Sequence, residues 1–204
     1  MQSIQLTPEN LVSAYAQGIF PMDVDGRIRW FLPDPRAIVP LDRFHASKTL
    51  MRTYRGGRFE LRMDTAFVDV MRHCADRPEG SWISDEIVEA YAELHRYGFA
   101  HSVETWRAGT LVGGLYGVAL RGAFFGESMF HRQRDASKVA FVALVSRLRE
   151  RGYRLLDVQF STPHLRGFGA IEVSCDSYLA QLARAMRVDC SWADQSELTE
   201  RPGP

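Results

Sequence analysis

The chain is short of cysteine, of net charge and of long apolar runs, and each shortage removes a class of protein. Its 204 residues include three cysteines, Cys74, Cys175 and Cys190, an odd number with no close spacing. That indicates neither a disulfide framework nor a thiolate zinc site, and reduced thiols of the cytoplasm are the plain expectation. None of the six histidines stands at metal-ligand spacing to another, so no metal is expected. No stretch is apolar for the length a membrane span needs, and Met1 to Leu6 lacks the basic and apolar regions of a secretory leader. Lys and Arg total 25 against 25 Asp and Glu, so net charge does not mark the molecule as a nucleic-acid binder. Internal repeats and low-complexity tracts are also missing.

What is present is an ordinary folding composition, 46% hydrophobic and 25% charged, with an uneven layout of charge. Arg43, Lys48, Arg52, Arg55, Arg58 and Arg62 crowd one segment, Arg132, Arg134 and Lys138 form a second group, and the tail is acidic at Asp189, Asp194, Glu197 and Glu200. A basic face of this kind either holds a polyanion or is a solvated loop.

Local signals outline the elements. Thr7–Pro8–Glu9 is a helix start, and Gly18 ends that helix. Pro21, Gly26, Pro33, Pro35 and Pro40 predict an irregular stretch, whose Phe20, Trp30, Phe31 and Ile38 need something to pack against. A small N-terminal lobe over residues 1–36, laid on a main domain over 37–204, satisfies both. A weak strand over Phe59–Met63 precedes a helix capped by Asp64. A second helix follows Ser84, and a hairpin turns at Arg107–Ala108–Gly109. A third strand, Ala123–Phe130, leads to a long helix opened by Asp135 or Ser137. A strand over Arg154–Phe160 and a helix capped by Ser174 complete the chain. This is an α+β, mixed α/β layout with helices on a largely antiparallel sheet. It matches the GNAT-like acyltransferase arrangement, in which a sheet splays to admit an acyl carrier.

Chemistry concentrates in two strands. Asp157 and Gln159 are two apart, so on a regular strand they share a face. A carboxylate beside a carboxamide can orient an amine nucleophile; it can equally satisfy neighbouring backbone groups. Glu127 follows Gly126 among Phe124, Phe125, Met129 and Phe130, with Phe125 and Met129 expected on its face and Phe124 on the other. It suits a cationic substrate group, or a salt bridge to Arg121, Arg132 or Arg134. His164 is close enough in sequence to join this site, but a histidine on a loop surface is the plainer reading. Gly113 and Gly114 lie in a strand rather than a phosphate loop and mark a bulge or a close ligand approach.

Seven segments then occur in a recognisable order: Tyr15–Ala16–Gln17–Gly18–Ile19–Phe20–Pro21, Trp30 with Pro33–Asp34–Pro35–Arg36–Ala37, Ser81–Trp82–Ile83, Val112–Gly113–Gly114–Leu115–Tyr116–Gly117, Gly126–Glu127–Ser128–Met129–Phe130, Ala136–Ser137–Lys138 and Asp157–Val158–Gln159. Together they resemble the leucyl/phenylalanyl-tRNA–protein transferase family, from about Leu11 to Met186. The resemblance implies a monomeric cytoplasmic enzyme without cofactor or metal. Its co-substrates would be leucyl-tRNA or phenylalanyl-tRNA and proteins beginning with Arg or Lys, which it would mark for N-degron degradation. It implies Asp157, Gln159 and Glu127 as catalytic residues and Leu115, Phe124, Met129, Leu144 and Leu156 as the aminoacyl pocket. Trp82 would stack on the terminal adenosine, and Arg43, Lys48, Arg52, Arg55 and Lys138 would meet acceptor-stem phosphates. Met22 stands where the family commonly has tryptophan, which leaves Trp30 as the expected second stacking partner. An acyl-CoA donor is disfavoured because no glycine lies between Arg132 and Ser137. A non-catalytic RNA-binding module would leave the acids among apolar strand residues without a purpose.

Overall fold

The structure, a computed structural model, describes residues 5–78 and 80–193. The tail acids Asp194, Glu197 and Glu200 lie outside them.

Helix α1 (Pro8–Ala16) begins where Thr7 accepts a bond from Asn10 N at 3.3 Å. Strands β1 (Phe20–Asp23) and β2 (Ile28–Phe31) form a separate antiparallel ribbon. There follow β3 (Arg36–Ile38), α2 (Lys48–Arg55), β4 (Glu60–Met63), α3 (Phe67–Ala75) and α4 (Asp85–Arg96). Next come β5 (Ala100–Arg107), β6 (Thr110–Leu120), β7 (Ala123–His131) and α5 (Ala136–Glu150). The chain continues through β8 (Leu155–Gln159), α6 (Pro163–Arg166), β9 (Ile171–Val173) and α7 (Cys175–Ala185). Among the described residues no helix is long and apolar enough to cross a membrane.

The fold is mixed α/β, as the pattern predicts. Seven strands run in the order β4-β5-β6-β7-β8-β3-β9, and every pair is antiparallel except β7 with β8. Two cores cover its faces. One gathers Leu11, Tyr15, Phe20, Met71, Tyr91, Tyr116 and Phe125 beneath α1, α3, α4 and α7. The other gathers Leu115, Phe124, Phe141, Leu144, Leu156 and Leu165 beneath α2, α5 and α6. Gly113 sets how closely α5 approaches: a Cβ there would lie 2.5 Å from that of Ala136. The close ligand approach expected at this glycine is corrected: what comes close is the start of a helix.

Three local expectations are corrected. The stretch Pro21–Pro40 is not irregular; its prolines sit at ends and edges while β1, β2 and β3 form between them. Helix α2 and strand β9, which the sequence pattern does not announce, are also formed. Asp64 does not cap α3. It accepts bonds from Ser102 N (2.9 Å), His101 Nδ1 (2.9 Å) and Trp192 Nε1 (3.0 Å). The free amides before α3 go instead to Glu104, a fully buried carboxylate on β5. Its Oε1 accepts from Thr65 N (2.9 Å), Ala66 N (2.8 Å) and Ser102 Oγ (2.8 Å), and its Oε2 from Thr65 Oγ1 and Trp106 Nε1. An anion at a helix start is favoured by the backbone dipoles there. Glu104→Ala strands these donors, and urea unfolding is expected to register a loss of at least about 3 kcal/mol.

Candidate active site

Strands β7 and β8 pair only at Ala123↔Leu155, Phe124↔Leu156 and Phe125↔Asp157. Beyond that point β7 runs on to His131 while β8 stops at Gln159, and the strands part. The parting opens a cleft of about 1060 Å³. That exceeds what one small ligand needs and suits the ends of two substrates. Its walls come from both cores: Phe20, Met22, Trp82 and Tyr116 from one face of the sheet, Leu115, Met129, Phe141, Leu144, Val158 and Leu165 from the other. The cleft therefore passes through the sheet, with Gly126, Glu127 and Gln159 at its waist.

Two backbone irregularities shape the waist. Tyr116 pairs with Ser128 and Gly117 with Gly126, so Glu127 has no opposing residue and forms a β-bulge. The bulge reverses the side-chain alternation. Met129 joins Phe124 in the core under α5, while Phe125 joins Phe130 in the other. The expected common face for Phe125, Glu127 and Met129 is thus corrected. Gly117 makes the bulge feasible, since a Cβ there would lie 2.2 Å from Phe125 O. The second irregularity is Gln159, at φ 55°. Phe160 N donates to Val158 O at 2.6 Å, closing a γ-turn centred on Gln159. This form is rare and strained, by roughly 1–3 kcal/mol.

Asp157 holds that turn. It is fully buried, and its Oδ1 accepts from Gln159 N at 2.9 Å. Arg36, also fully buried, donates from Nε (2.9 Å) to Oδ1 and from Nη2 (2.6 Å) to Oδ2, and Tyr178 Oη donates to Oδ2 at 2.7 Å. Arg36 Nη1 reaches Gly18 O at 3.0 Å, and its guanidinium lies over the Phe20 and Tyr178 rings. Burial works against the Arg36 charge, but Asp157 offsets it and holds the guanidinium above its ordinary range. Asp157 thus stands behind the wall, serving backbone and arginine, and does not line the cleft.

Glu127 and Gln159 do line it. Gln159 Nε2 donates to Glu127 Oε1 at 3.3 Å. Of the arginines considered as ion-pair partners for Glu127, Arg121 pairs with Asp189, Arg132 with Asp76 and Arg134 with Asp135. Glu127 is partly open to the cleft but enclosed by protein on most sides. Desolvation pushes its carboxyl up to about 8; the Tyr15 hydroxyl opposes this, the Asp157 charge adds to it and Arg36 opposes it. Tyr15, Tyr91 and Tyr116 around it are held well above the usual phenol range by burial and then by the Glu127 charge. The Tyr15 and Tyr91 hydroxyls bond each other, and the Tyr116 hydroxyl is buried without a partner among the described residues.

The remaining expectations divide. Leu115, Met129 and Leu144 line the apolar arm of the cleft. Phe124 and Leu156 do not: Phe124 stacks against Trp192 at 5.4 Å, and both are sealed in the core. Their places are taken by Phe141, Val158 and Leu165. Phe141 was legible as the residue three before Leu144 on the same helix face. Trp82 lines the cleft beside Met22, whereas Trp30 pairs across the ribbon with Pro21 and stays away from it. Lys138 borders the cleft together with Arg77, Arg132 and Arg134. Lys48, Arg52 and Arg55 border a separate depression along α2, and exposed Arg43 lies outside both. Folding also brings Asp64, His95 and His101 together, but both His101 nitrogens face hydrogen-bond acceptors, Asp64 Oδ2 and Gly98 O.

A splayed sheet with an apolar slot on one side of a polar waist can seat an apolar group beside a polar reacting one, and the family it matches makes the chain an acyl-group transferase. The leucyl/phenylalanyl-tRNA protein transferase family pattern matches residues 38–183, and the pattern of that family's N-terminal domain matches residues 4–34. The chain belongs to this family. The leucyl/phenylalanyl-tRNA–protein transferase of Herpetosiphon aurantiacus is 56% identical over 189 residues, covering 92% of this chain and 98% of that one. That of Gloeobacter violaceus is 54% identical over 192 residues, covering 93% and 98%.

Two outcomes test the geometry. Asp157→Asn leaves Arg36 buried and unpaired and is expected to lose about 3 kcal/mol in urea unfolding. The double variant Arg36→Met with Asp157→Leu is expected to recover most of that stability and none of the activity, because Gln159 N has lost its acceptor. Recovery of both would show that the turn does not matter. Glu127 supplies the second test. Its folded pKa of about 8 lies above the unfolded value, so its contribution is full at acid pH and disappears as pH rises through 8. Wild type should therefore fall in stability relative to Glu127→Gln between pH 5 and about 9, by on the order of 3 kcal/mol.

Proposed function

We propose that this protein transfers leucine or phenylalanine from aminoacyl-tRNA to the α-amine of proteins that begin with Arg or Lys, marking them for degradation. The observation that carries the reading is the cleft through the sheet, with Glu127 and Gln159 where its two arms meet. Family membership supports the transferase activity. The waist and its two unlike arms support the assignment of substrates.

The aminoacyl side chain enters the arm lined by Leu115, Met129, Phe141, Leu144, Val158 and Leu165. Burying a leucine or phenylalanine side chain there contributes about 2–3 kcal/mol over a small one. The acceptor enters from the Phe20, Met22 and Trp82 side, where Glu127 meets its cationic first side chain with a charge-assisted bond. Trp82 and exposed Phe160 give the rim flat apolar surface for a base or a peptide. Arg43, Lys48, Arg52 and Arg55 would meet phosphates farther along the tRNA.

The ester is already activated, so placement does most of the work. Gln159 directs its amide N–H to Glu127, which leaves its carbonyl oxygen to accept a bond from the attacking amine. The neutral amine nitrogen forms a bond to the ester carbon. The ribose oxygen leaves and takes up the amine's proton, relayed through the neighbouring ribose hydroxyl. Asp157 contributes by fixing the Gln159 turn. We read the protein as a cytoplasmic monomer, since charged tRNA and new protein ends meet there.

The test is incubation with labelled leucyl-tRNA and peptides that differ only in the first residue. Label should enter peptides that begin with Arg or Lys, and equal uptake by Ala or Glu starts would overturn the acceptor assignment. Glu127→Gln is expected to raise KM for the arginine peptide roughly tenfold or more, with little change in KM for the tRNA.

A further inference from the structure

The α5 arm of the cleft holds polar groups that the reaction as described does not use. Ser137 is 5% exposed and lines the cleft, and its hydroxyl has no hydrogen-bond partner among the described residues. The His164 Nε2 is buried without a partner, and the ring sits edge-on against Phe168 at 5.2 Å. Ser137 belongs to the first turn of helix α5. Asp135 stands at its N-cap position at φ 69°, and no side chain caps the free amides of the first turn. Two polar side chains that bond nothing among the described residues, lining one cleft with an uncapped helix start, ask for a ligand with several acceptor oxygens.

Charge selects the ligand further. Lys138, His131 and Arg134 line this arm, against one carboxylate, Asp135. Asp135 is itself drawn to Arg134 (3.7 Å) and Lys138 (3.6 Å). The surplus is positive, and the helix dipole adds to it. Glu127 stands at the waist, where burial holds its carboxyl up to about 8 and so reluctant to ionise, and Tyr116 belongs to the core on the opposite face.

We propose that the first turn of α5, with the Ser137 hydroxyl, the Lys138 ammonium and the His164 imidazole, is a phosphate subsite that takes the 5′-phosphate of the donor's terminal nucleotide. This rests on the proposed aminoacyl-tRNA donor and adds where the RNA end is gripped. The subsite fixes the distance between the phosphate and the ester, and so sets how far the aminoacyl group reaches into the apolar slot. His164 also gives the subsite a pH signature. Desolvation first, then Lys138 and His131, hold its imidazole below the usual range, so it is neutral while the arm is empty. A phosphate favours the imidazolium and binds with proton uptake. The charged groups facing His164 are Lys138 from α5 and His131 from β7, and Arg166 of its own helix is turned to Ser161.

The experiment is calorimetric titration of the full chain with adenosine, adenosine 5′-monophosphate and inorganic phosphate at pH 6 and pH 8. The monophosphate should bind about tenfold or more tighter than adenosine, with the gap widening at pH 6. Ser137→Ala should cut the gap several-fold, and His164→Gln should remove its pH dependence, with adenosine affinity and melting temperature unchanged in both. Equal affinity for adenosine and its monophosphate overturns the subsite. A gap that survives both substitutions also overturns it, because the phosphate is then held elsewhere. Inorganic phosphate binding as tightly as the monophosphate overturns the nucleotide assignment. Leucyl transfer by wild type, measured alongside, keeps the two readings apart: failed transfer with an intact gap rejects the proposed reaction and leaves the subsite standing.

Discussion

The ion pair between Arg36 and Asp157 joins residues far apart in sequence and admits no water to either side chain. Two buried charges are costly, and a pair of this kind survives only where the remaining donors and acceptors are also met. Here they are met by Gly18 O, Tyr178 Oη and Gln159 N. Those three partners explain why the pair is there. Gly18 O belongs to the end of α1, so the arginine ties the N-terminal segment to the sheet. Tyr178 ties α7 to the same point. Gln159 N is the amide of a residue in a strained turn, and the carboxylate oxygen is what makes that turn tolerable. A buried hydrophobic pair would pack as well, but it would offer Gln159 no acceptor.

The turn at Gln159 and the bulge at Glu127 belong together. Parallel strands that kept their pairing would have closed the sheet at this point and buried both side chains among backbone. Each irregularity rotates one polar side chain out of the regular pleat toward the other, and the 3.3 Å contact between them spans the opening. The cost sits in two backbone sites, one eased by Gly117 and the other by Asp157. Strain concentrated where strands part is expected of a site that must stay open while the rest of the sheet is sealed.

What the sequence made legible follows from locality. Thr7 and Ser174 each satisfy an amide three residues on, as their spacing announces, and the hairpin turn at Arg107–Gly109 is set by its own residues. Glu127 and Gln159 stood out because polar groups are rare among large apolar neighbours. The missing parts depend on distant partners. Asp64 has the form of a helix cap, and only the closeness of β5 lets Glu104 take that role. Asp157 and Gln159 share a face on an ideal strand, and nothing local announces that Gln159 leaves it. Phe124 and Leu156 enter the aminoacyl slot through the family resemblance, although strand alternation sets Phe124 opposite Met129. The bulge and the cover of Trp192 place Met129 in the slot and leave Phe124 outside. Arg36 carried a usable signal, a lone cation entering the apolar run Ala37–Ile38–Val39, which requires a buried acid somewhere in the fold.

The distribution of charge around the cleft completes the physical account. At the waist the empty site is close to neutral: burial keeps the Glu127 carboxyl reluctant to ionise and the surrounding phenols protonated. A cation bound beside Glu127 would supply the stabilisation that the ionised carboxylate lacks, so cation binding and charge formation there would be coupled. On the other side Lys138, Arg134 and His131 border an apolar slot, a combination that suits a ligand with an anionic stem and an oily tip. Arg77 and Arg132 border the same cleft from the α3 side, where Arg77 Nε reaches Cys74 O and Arg132 pairs with Asp76, so cations stand on both of its faces. What distinguishes the two ends of the cleft is therefore not the sign of the surrounding charge but the buried carboxyl at the waist and the apolar slot under α5, which offer unlike chemistry within one opening.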